Sequence, residues 1–230
     1  YHARTRFGIE TDSGDPTGEA ISQAPVPADA ETIRRALPGL VGAIEQVPPR
    51  LSAVKIDGRR AYDRARRGED FQPAARRVVV HRFELLAYDP PDAEFVVECG
   101  GGTYVRSLAR DLGRALGSAA HLTALRRTAI GPIGVDEAVA LDGVEDAHAR
   151  GDLLVAASRL IRGWPWVRLD PRQARRVRQG TQPDPSWWEW AEIPPRSAML
   201  DDHGDLVAIA ERDADGRPRL ALVLPEEAPA

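Results

Sequence analysis

Residues 93–116, AEFVVECGGGTYVRSLARDLGRAL, change their period in mid-run, and that change restricts the fold more than any other feature. Phe95, Val97 and Cys99 alternate along one face of a strand, whereas Val105, Leu108, Leu112 and Leu116 recur at helical spacing. Gly100, Gly101 and Gly102 separate the two patterns. Three uses compete for such a stretch: a phosphate cradle, a plain tight turn with positive φ angles, or a turn that presents Tyr104 and Arg106 to a ligand.

The cradle lacks its parts. A P-loop needs Gly-Lys-Ser/Thr where the helix starts, and GGGTYVR offers neither the lysine nor the hydroxyl at that place. The dinucleotide fingerprint fails as well, because Val105 stands where its third glycine belongs. A bare helix N-terminus attracts anions generically and specifies none. On this stretch alone, the plain turn and the presenting turn stay open.

The rest of the chain supplies the setting. Residues 1–10, YHARTRFGIE, read as one half-buried strand, with Tyr1, Ala3, Thr5, Phe7 and Ile9 inward and His2, Arg4, Arg6 and Glu10 outward. A turn cluster follows, then a helix from Asp29 to Leu37 with Asp29 as its cap. Residues 50–68 read as an extended piece through Lys55, a turn at Asp57-Gly58 and a short helix ending at Gly68. Strands are expected over 76–88 and 93–99, and a helical connector over 141–163. LDPRQARRVRQG is a helix capped by Asp170, with Pro171 at its first position and Gly180 just past its end. Beyond it, short strands alternate with the hairpin turns DDHGD and DADGR.

A chain of 230 residues with one cysteine, Cys99, can bury a sizeable core and forms no internal disulfide. No apolar run reaches the length of a membrane span and the cytoplasm is the default compartment. Lys55 is the only lysine beside thirty arginines, and the net charge of −4 argues against indiscriminate nucleic-acid binding while leaving room for a local basic patch. Such a patch lies between residues 50 and 67. There Arg50, Lys55, Arg59, Arg60, Arg64, Arg66 and Arg67 face only Asp57 and Asp63, a plausible track for an RNA backbone. His2 and His121 have no ligand partners at useful spacing, so no metal is assigned.

Four segments then decide between the two turns. YHARTRFGIETDSGDPTG, QVPPRLSAVKIDGRRAYDRARRG, CGGGTYVRSLARDLGRALG and AHLTALRRTAIGPI occur in that order over about residues 1–135. Together they resemble the TruB family of tRNA pseudouridine synthases, which isomerise the T-loop uridine at position 55 of tRNA. The resemblance implies a mixed α+β catalytic domain with a central, largely antiparallel sheet and flanking helices over 1–163. It implies a small β-rich, PUA-like RNA-binding module over 164–230, where Trp187, Trp188 and Trp190 are expected to pack the module on its neighbour. It also implies a cofactor-free, metal-free, monomeric enzyme whose partner is the tRNA T-arm.

Residue by residue, the resemblance makes Arg106 the arginine that ion-pairs the family's nucleophilic aspartate, keeping a partly buried carboxylate ionised and oriented. Tyr1 matches the tyrosine that lies against the target base and takes part in proton removal. Tyr104 and Leu125 match the other pocket residues, which replace the stacking a flipped base loses. Arg126 and Arg127 are expected near the RNA, at least one of them touching a phosphate or a structural carboxylate, and Lys55, Arg59, Arg60 and Arg64 along its backbone. Lys55 is expected to hold the loop around Ser52 or a phosphate. Asp12 and Asp15 are expected to brace their turn, and Cys99 to be a buried strand residue without chemistry.

The family's Gly-His-x-Gly-x-Leu-Asp-Pro segment, which carries the nucleophile, does not occur in these residues and is expected before Tyr1. The 230 residues alone are therefore expected to be inactive, with Arg106 lacking its partner and apolar sheet surface exposed. Two rivals remain: a non-catalytic RNA-binding or tRNA-folding protein that keeps the pocket, and a small-nucleotide binder using the glycine turn.

Overall fold

The computed structural model describes residues 1–56, 58–149, 151, 155–190 and 192–225. They form two compact units, Tyr1–Thr128 and Ala129–Ala230.

The first unit is built on five antiparallel strands: β1 (His2–Phe7), β2 (Gly42–Gln46), β3 (Arg76–Asp89), β4 (Asp92–Cys99) and β5 (Ala120–Arg126), in the spatial order β2-β3-β4-β1-β5. Alternation buries Ala3, Thr5 and Phe7 on one face. That face meets helix α1 (Ala30–Ala36) through Ile33 and helix α3 (Val105–Ala115) through Val105, Leu108, Ala109 and Leu112, all in one core with Phe7, Phe83, Phe95 and Val97. Each large apolar side chain buried there stabilises the unit by roughly 1.5–3 kcal/mol. The Asp29 carboxylate caps α1 by accepting the Thr32 N–H at 2.7 Å.

The N-terminal strand is shorter than its alternation predicts. It breaks at Gly8, whose φ of +92° lies in the left-handed region, and a two-strand ribbon of Ile9–Thr11 and Ala20–Gln23 follows. Glu10, placed outward by simple alternation, is instead buried and takes a two-pronged ion pair from Arg114 at 2.6 and 3.1 Å. Helix α2 (Ala61–Arg66) ends in Gly68 at φ +70°, as the sequence indicates, while Asp57 of the preceding turn lies outside the described residues. Of the three consecutive glycines only Gly102 adopts a positive φ, +81°. Gly100 continues the sheet, donating to the Val79 carbonyl at 2.8 Å.

The second unit opens with a two-strand ribbon of Ala129–Ile130 and Ile133–Gly134, followed by short helices α4 (Val144–Ala149) and α5 (Ala157–Leu160); residues 150 and 152–154 of the expected connector lie outside the described residues. Four strands then form one sheet in chain order: β6 (Trp166–Arg168), β7 (Arg196–Leu200), β8 (Leu206–Arg212) and β9 (Pro218–Val223), the first pair parallel and the others antiparallel. Helix α6 (Pro171–Arg178) has the capping box of Asp170 and Gln173. The two hairpin turns close as predicted. Asp201 accepts the N–H groups of His203 and Asp205, and Asp213 those of Asp215 and Arg217. Trp188, expected to pack on a neighbouring domain, is buried in this unit's own core with Leu169, Val177, Met199 and Val207, its indole N–H donating to Ser197 Oγ at 3.1 Å.

Candidate functional site: one end of the first sheet

Antiparallel pairing gathers the start of β1 and the ends of β4 and β5 at one end of the sheet. Tyr1 exchanges backbone hydrogen bonds with Val97 on β4, at 2.7 and 2.9 Å. Two residues on, β4 ends at Cys99, and the glycine turn delivers Tyr104 to the start of α3. On the other flank of β1, Ala3 pairs with Leu125 and His2 with Arg126, which sets Arg127 beside Tyr1. The Tyr1 hydroxyl accepts from Arg127 Nε at 2.9 Å, and the guanidinium lies 5.2 Å from the Tyr1 ring centroid.

A one-residue bulge makes this possible. Ala120 and Leu122 face the core opposite Phe7 and Thr5, but the register shifts between Arg4 and Thr5, and Thr123 falls between paired residues with its Oγ1 donating to the Arg4 carbonyl at 3.3 Å. Strict alternation would put Ala124 on the inner face and Leu125 outside. The extra residue turns Leu125 inward beside Ala3, where it stays 47% exposed. A large apolar side chain on the core face that the described residues leave half exposed is available to a ligand.

Tyr104 is fixed by its backbone. Buried Gln46, the last residue of β2, accepts the Tyr104 N–H through Oε1 at 2.8 Å and donates from Nε2 to the Tyr104 carbonyl at 3.2 Å. The Arg76 guanidinium stands 5.8 Å from the centroid of the Tyr104 ring.

Arg106, in the first turn of α3, points to a different set of partners. Nη1 donates to the Ser13 carbonyl at 2.8 Å and to Asp15 Oδ2 at 3.2 Å, and Nη2 donates to the Leu51 carbonyl at 2.7 Å. Asp15 also braces its turn as expected, its Oδ1 accepting from Ser13 Oγ, Thr17 N and Thr17 Oγ1. Burial pushes its pKa upward, but the Thr17 and Ser13 hydrogen bonds and the Arg106 charge outweigh that and hold it below the usual carboxylate range. Thus Arg106 has a carboxylate partner within the described residues, where the sequence alone leaves it with none. Gly14, at φ +74°, permits the approach: a Cβ there would stand 3.2 Å from that of Arg106.

The remaining sequence candidates are dispersed. Arg126 is exposed on the outer side, and Arg127 engages Tyr1. Lys55, Arg59 and Arg60 are exposed on a short ribbon. Arg64 is engaged by Glu69 at 2.7 Å and lies 4.9 Å from the Phe71 ring centroid, so it is more constrained than the arginine run suggests. Among the described residues, buried Ser52 Oγ has no hydrogen-bond partner, and Lys55 stands exposed on its ribbon. Cys99 is half-buried, and burial raises its thiol pKa against the opposing pull of Thr103 and Arg127. His121 is buried with Nδ1 2.8 Å from the Ile9 carbonyl oxygen. Sequence reasoning missed Gln46, Arg76 and the Thr123 bulge. Gln46 opens the segment QVPPRLSAVK, and its polarity at the end of a buried strand was the available signal.

A sheet end lined by two tyrosines, an uncovered leucine and ordered arginines is suited to an aromatic ring carried on a polyanion. Residues 1–105 match the family model for the TruB family pseudouridylate synthase N-terminal domain, and residues 106–162 match the tRNA pseudouridylate synthase B C-terminal domain. The chain is 49% identical over 182 residues to tRNA pseudouridine synthase B of Aromatoleum aromaticum, covering 78% of this chain and 59% of that protein. It is 42% identical over 217 residues to the protein of the same name from Thiobacillus denitrificans, covering 93% and 71%. Among solved structures, a Cbf5-Nop10-Gar1 complex aligns with a TM-score of 0.68 at 20% identity over 97% of this chain and 66% of that one, a likeness of fold. The chain belongs to the TruB family of pseudouridine synthases, and spans about three fifths of the length of the Aromatoleum protein.

Proposed function

We propose that this protein converts a tRNA uridine to pseudouridine, the T-loop uridine at position 55, and that the sheet end built from Tyr1, Tyr104 and Leu125 receives the flipped base. The observation that carries the reading is the bulge at Thr123, which turns Leu125 onto the face shared by Tyr1 and leaves it uncovered. A base taken out of its stack needs an aromatic face and apolar packing to replace what it lost. Tyr1 and Tyr104 supply the one and Leu125 the other.

In this reading the attacking carboxylate comes from the family's Gly-His-x-Gly-x-Leu-Asp-Pro segment, which is not within the 230 residues. Asp15 does not replace it. Both its oxygens already accept hydrogen bonds, and an ionised carboxylate so engaged is an anchor. Arg106 holds the α3 start, the Asp15 turn and the Leu51 loop together, and its charge favours an ionised carboxylate nearby. Lys55, Arg59, Arg60, Arg64, Arg126 and Arg127 serve the RNA backbone or order the residues that touch it, and residues 164–230 act as a PUA-like RNA-binding module. The 230 residues by themselves bind T-arm RNA weakly and do not isomerise it.

The test is tritium release from a T-arm stem-loop labelled at carbon 5 of its uridines. Release by the full-length protein, with none by the 230 residues, is expected. T-arm binding by the full-length protein without release would favour the RNA-binding or tRNA-folding alternative.

A further inference from the structure

Gln46 and Arg76 are direct cross-strand partners in the β2–β3 pair, and paired residues share a face. Both reach Tyr104. The Gln46 carboxamide takes the Tyr104 N–H and carbonyl together, and the Arg76 guanidinium covers one side of the Tyr104 ring. Tyr104 occupies the N-cap of α3 with φ −102° and ψ 111° and makes no side-chain cap of its own. In a capping box the acceptor for the N-cap N–H comes from three residues further along the helix. Here it comes from 58 residues earlier in the chain. The next residue extends the same attachment, the Val47 carbonyl accepting from Ser107 Oγ at 2.9 Å and from Arg110 Nη2 at 2.8 Å.

We propose that Gln46 and Arg76 are positioning residues, a cross-strand clamp that fixes the Tyr104 backbone and one ring face so that the other face meets the uracil base. The proposal rests on the reading of Tyr104 as a base-pocket residue. A carboxamide suits this role because it is neutral, so it tolerates full burial, and because it carries an acceptor and a donor side by side. Among the described residues no carboxylate pairs with Arg76, so its charge is available to the ring quadrupole. Gly102 lies beneath the same guanidinium: a Cβ there would be 4.0 Å from Arg76 Nη1. A small misplacement of a stacking ring is enough to cost catalytic rate while leaving RNA affinity, which the backbone charges dominate.

The clamp is tested in the full-length protein with the tritiated T-arm stem-loop. Arg76→Met is expected to lower kcat by about tenfold or more while KM for the RNA changes by less than about threefold, and Arg76→Lys to recover part of the loss. Gln46→Glu provides a pH signature. An ionised carboxylate accepts the Tyr104 N–H but cannot donate to its carbonyl, whereas the protonated acid does both. Its deficit against wild type, about tenfold at pH 8, is expected to narrow toward pH 6, since burial raises a carboxyl pKa. Wild-type kcat in Arg76→Met would overturn the clamp, as would losses that merely track the folded fraction measured by circular dichroism. If the wild-type protein releases no tritium, the function proposal fails instead, and amide exchange at Tyr104 decides the clamp without substrate. Exchange faster by about tenfold or more in Gln46→Met supports it. Unchanged exchange overturns it.

Discussion

Arg106 Nη1 and Asp15 Oδ2 meet at 3.2 Å although 91 residues separate them in the chain. The same guanidinium also takes the Ser13 and Leu51 carbonyls, so one planar group ties two separate segments to the start of α3. Only a fork of fixed N–H directions serves all of them; an ammonium ion on a flexible stem serves fewer.

Arg106→Lys is therefore expected to destabilise the first unit by roughly 1–3 kcal/mol, because carbonyls ordered by the guanidinium lose their donors. Urea denaturation monitors this as a lower midpoint with an unchanged slope. An unchanged midpoint would mean that solvent satisfies the Ser13 and Leu51 carbonyls equally well.

Acid should expose the carboxylates that hold the fold. The Arg6 hydrogen bond, followed by the charges of Arg6 and Arg4, keeps Asp92 below the ordinary range despite its burial, and Asp15 is held low as well. A carboxylate depressed in the folded state contributes stability that is complete above its unfolded pKa of about 3.9 and is lost as pH falls through the folded value. Thermal midpoints are thus expected to hold from about pH 7 to 5 and fall below about pH 4, less steeply in Asp92→Asn. A fall beginning near neutrality would point to other groups.

Leu122 and Leu125 sit on either side of the bulge and should respond differently to truncation. Leu122 is 3% exposed in the core, so Leu122→Ala is expected to cost about 2–4 kcal/mol. Leu125→Ala should cost less than about 1 kcal/mol yet reduce turnover by about tenfold or more, since in the proposed site the packing it removes is against the base. Equal stability losses for the two leucines would assign Leu125 to the core.

Exposed charges on the ribbon should act through salt. Replacing Lys55, Arg59 and Arg60 by Gln one at a time is expected to weaken T-arm binding and to reduce the slope of log K against log salt by about 0.7–0.9 for each phosphate no longer neutralised. A variant that leaves the slope unchanged removes that side chain from the RNA track.

Much of this fold is legible in the sequence because its cues are local. Asp29 and Asp170 sit where helix caps belong, the turns at 201–205 and 213–217 close on aspartates, and Val105, Leu108 and Leu112 recur at helical spacing into the core. The site is only half legible, because what assembles it is not local. Nothing in the neighbourhood of Gln46 says that its carboxamide will hold Tyr104, and nothing near Asp15 says that Arg106 will reach it. The Thr123 bulge is invisible to simple alternation, since HLTALRR fits an unbroken strand with Leu122 and Ala124 on one face. Glu10 illustrates the same limit: one left-handed glycine at position 8 ends the strand and carries the next carboxylate into the interior.

Formation of pseudouridine at position 55 of tRNA through the Tyr1, Tyr104, Leu125 and Arg106 site is the central claim. Pseudouridine mapping of total tRNA from cells lacking the gene, complemented with wild type or with Arg106→Lys, tests it most directly. The modification at position 55 is expected to disappear with the gene, to return with wild type, and not to regain the wild-type level with Arg106→Lys. Full modification at position 55 without the gene would contradict it.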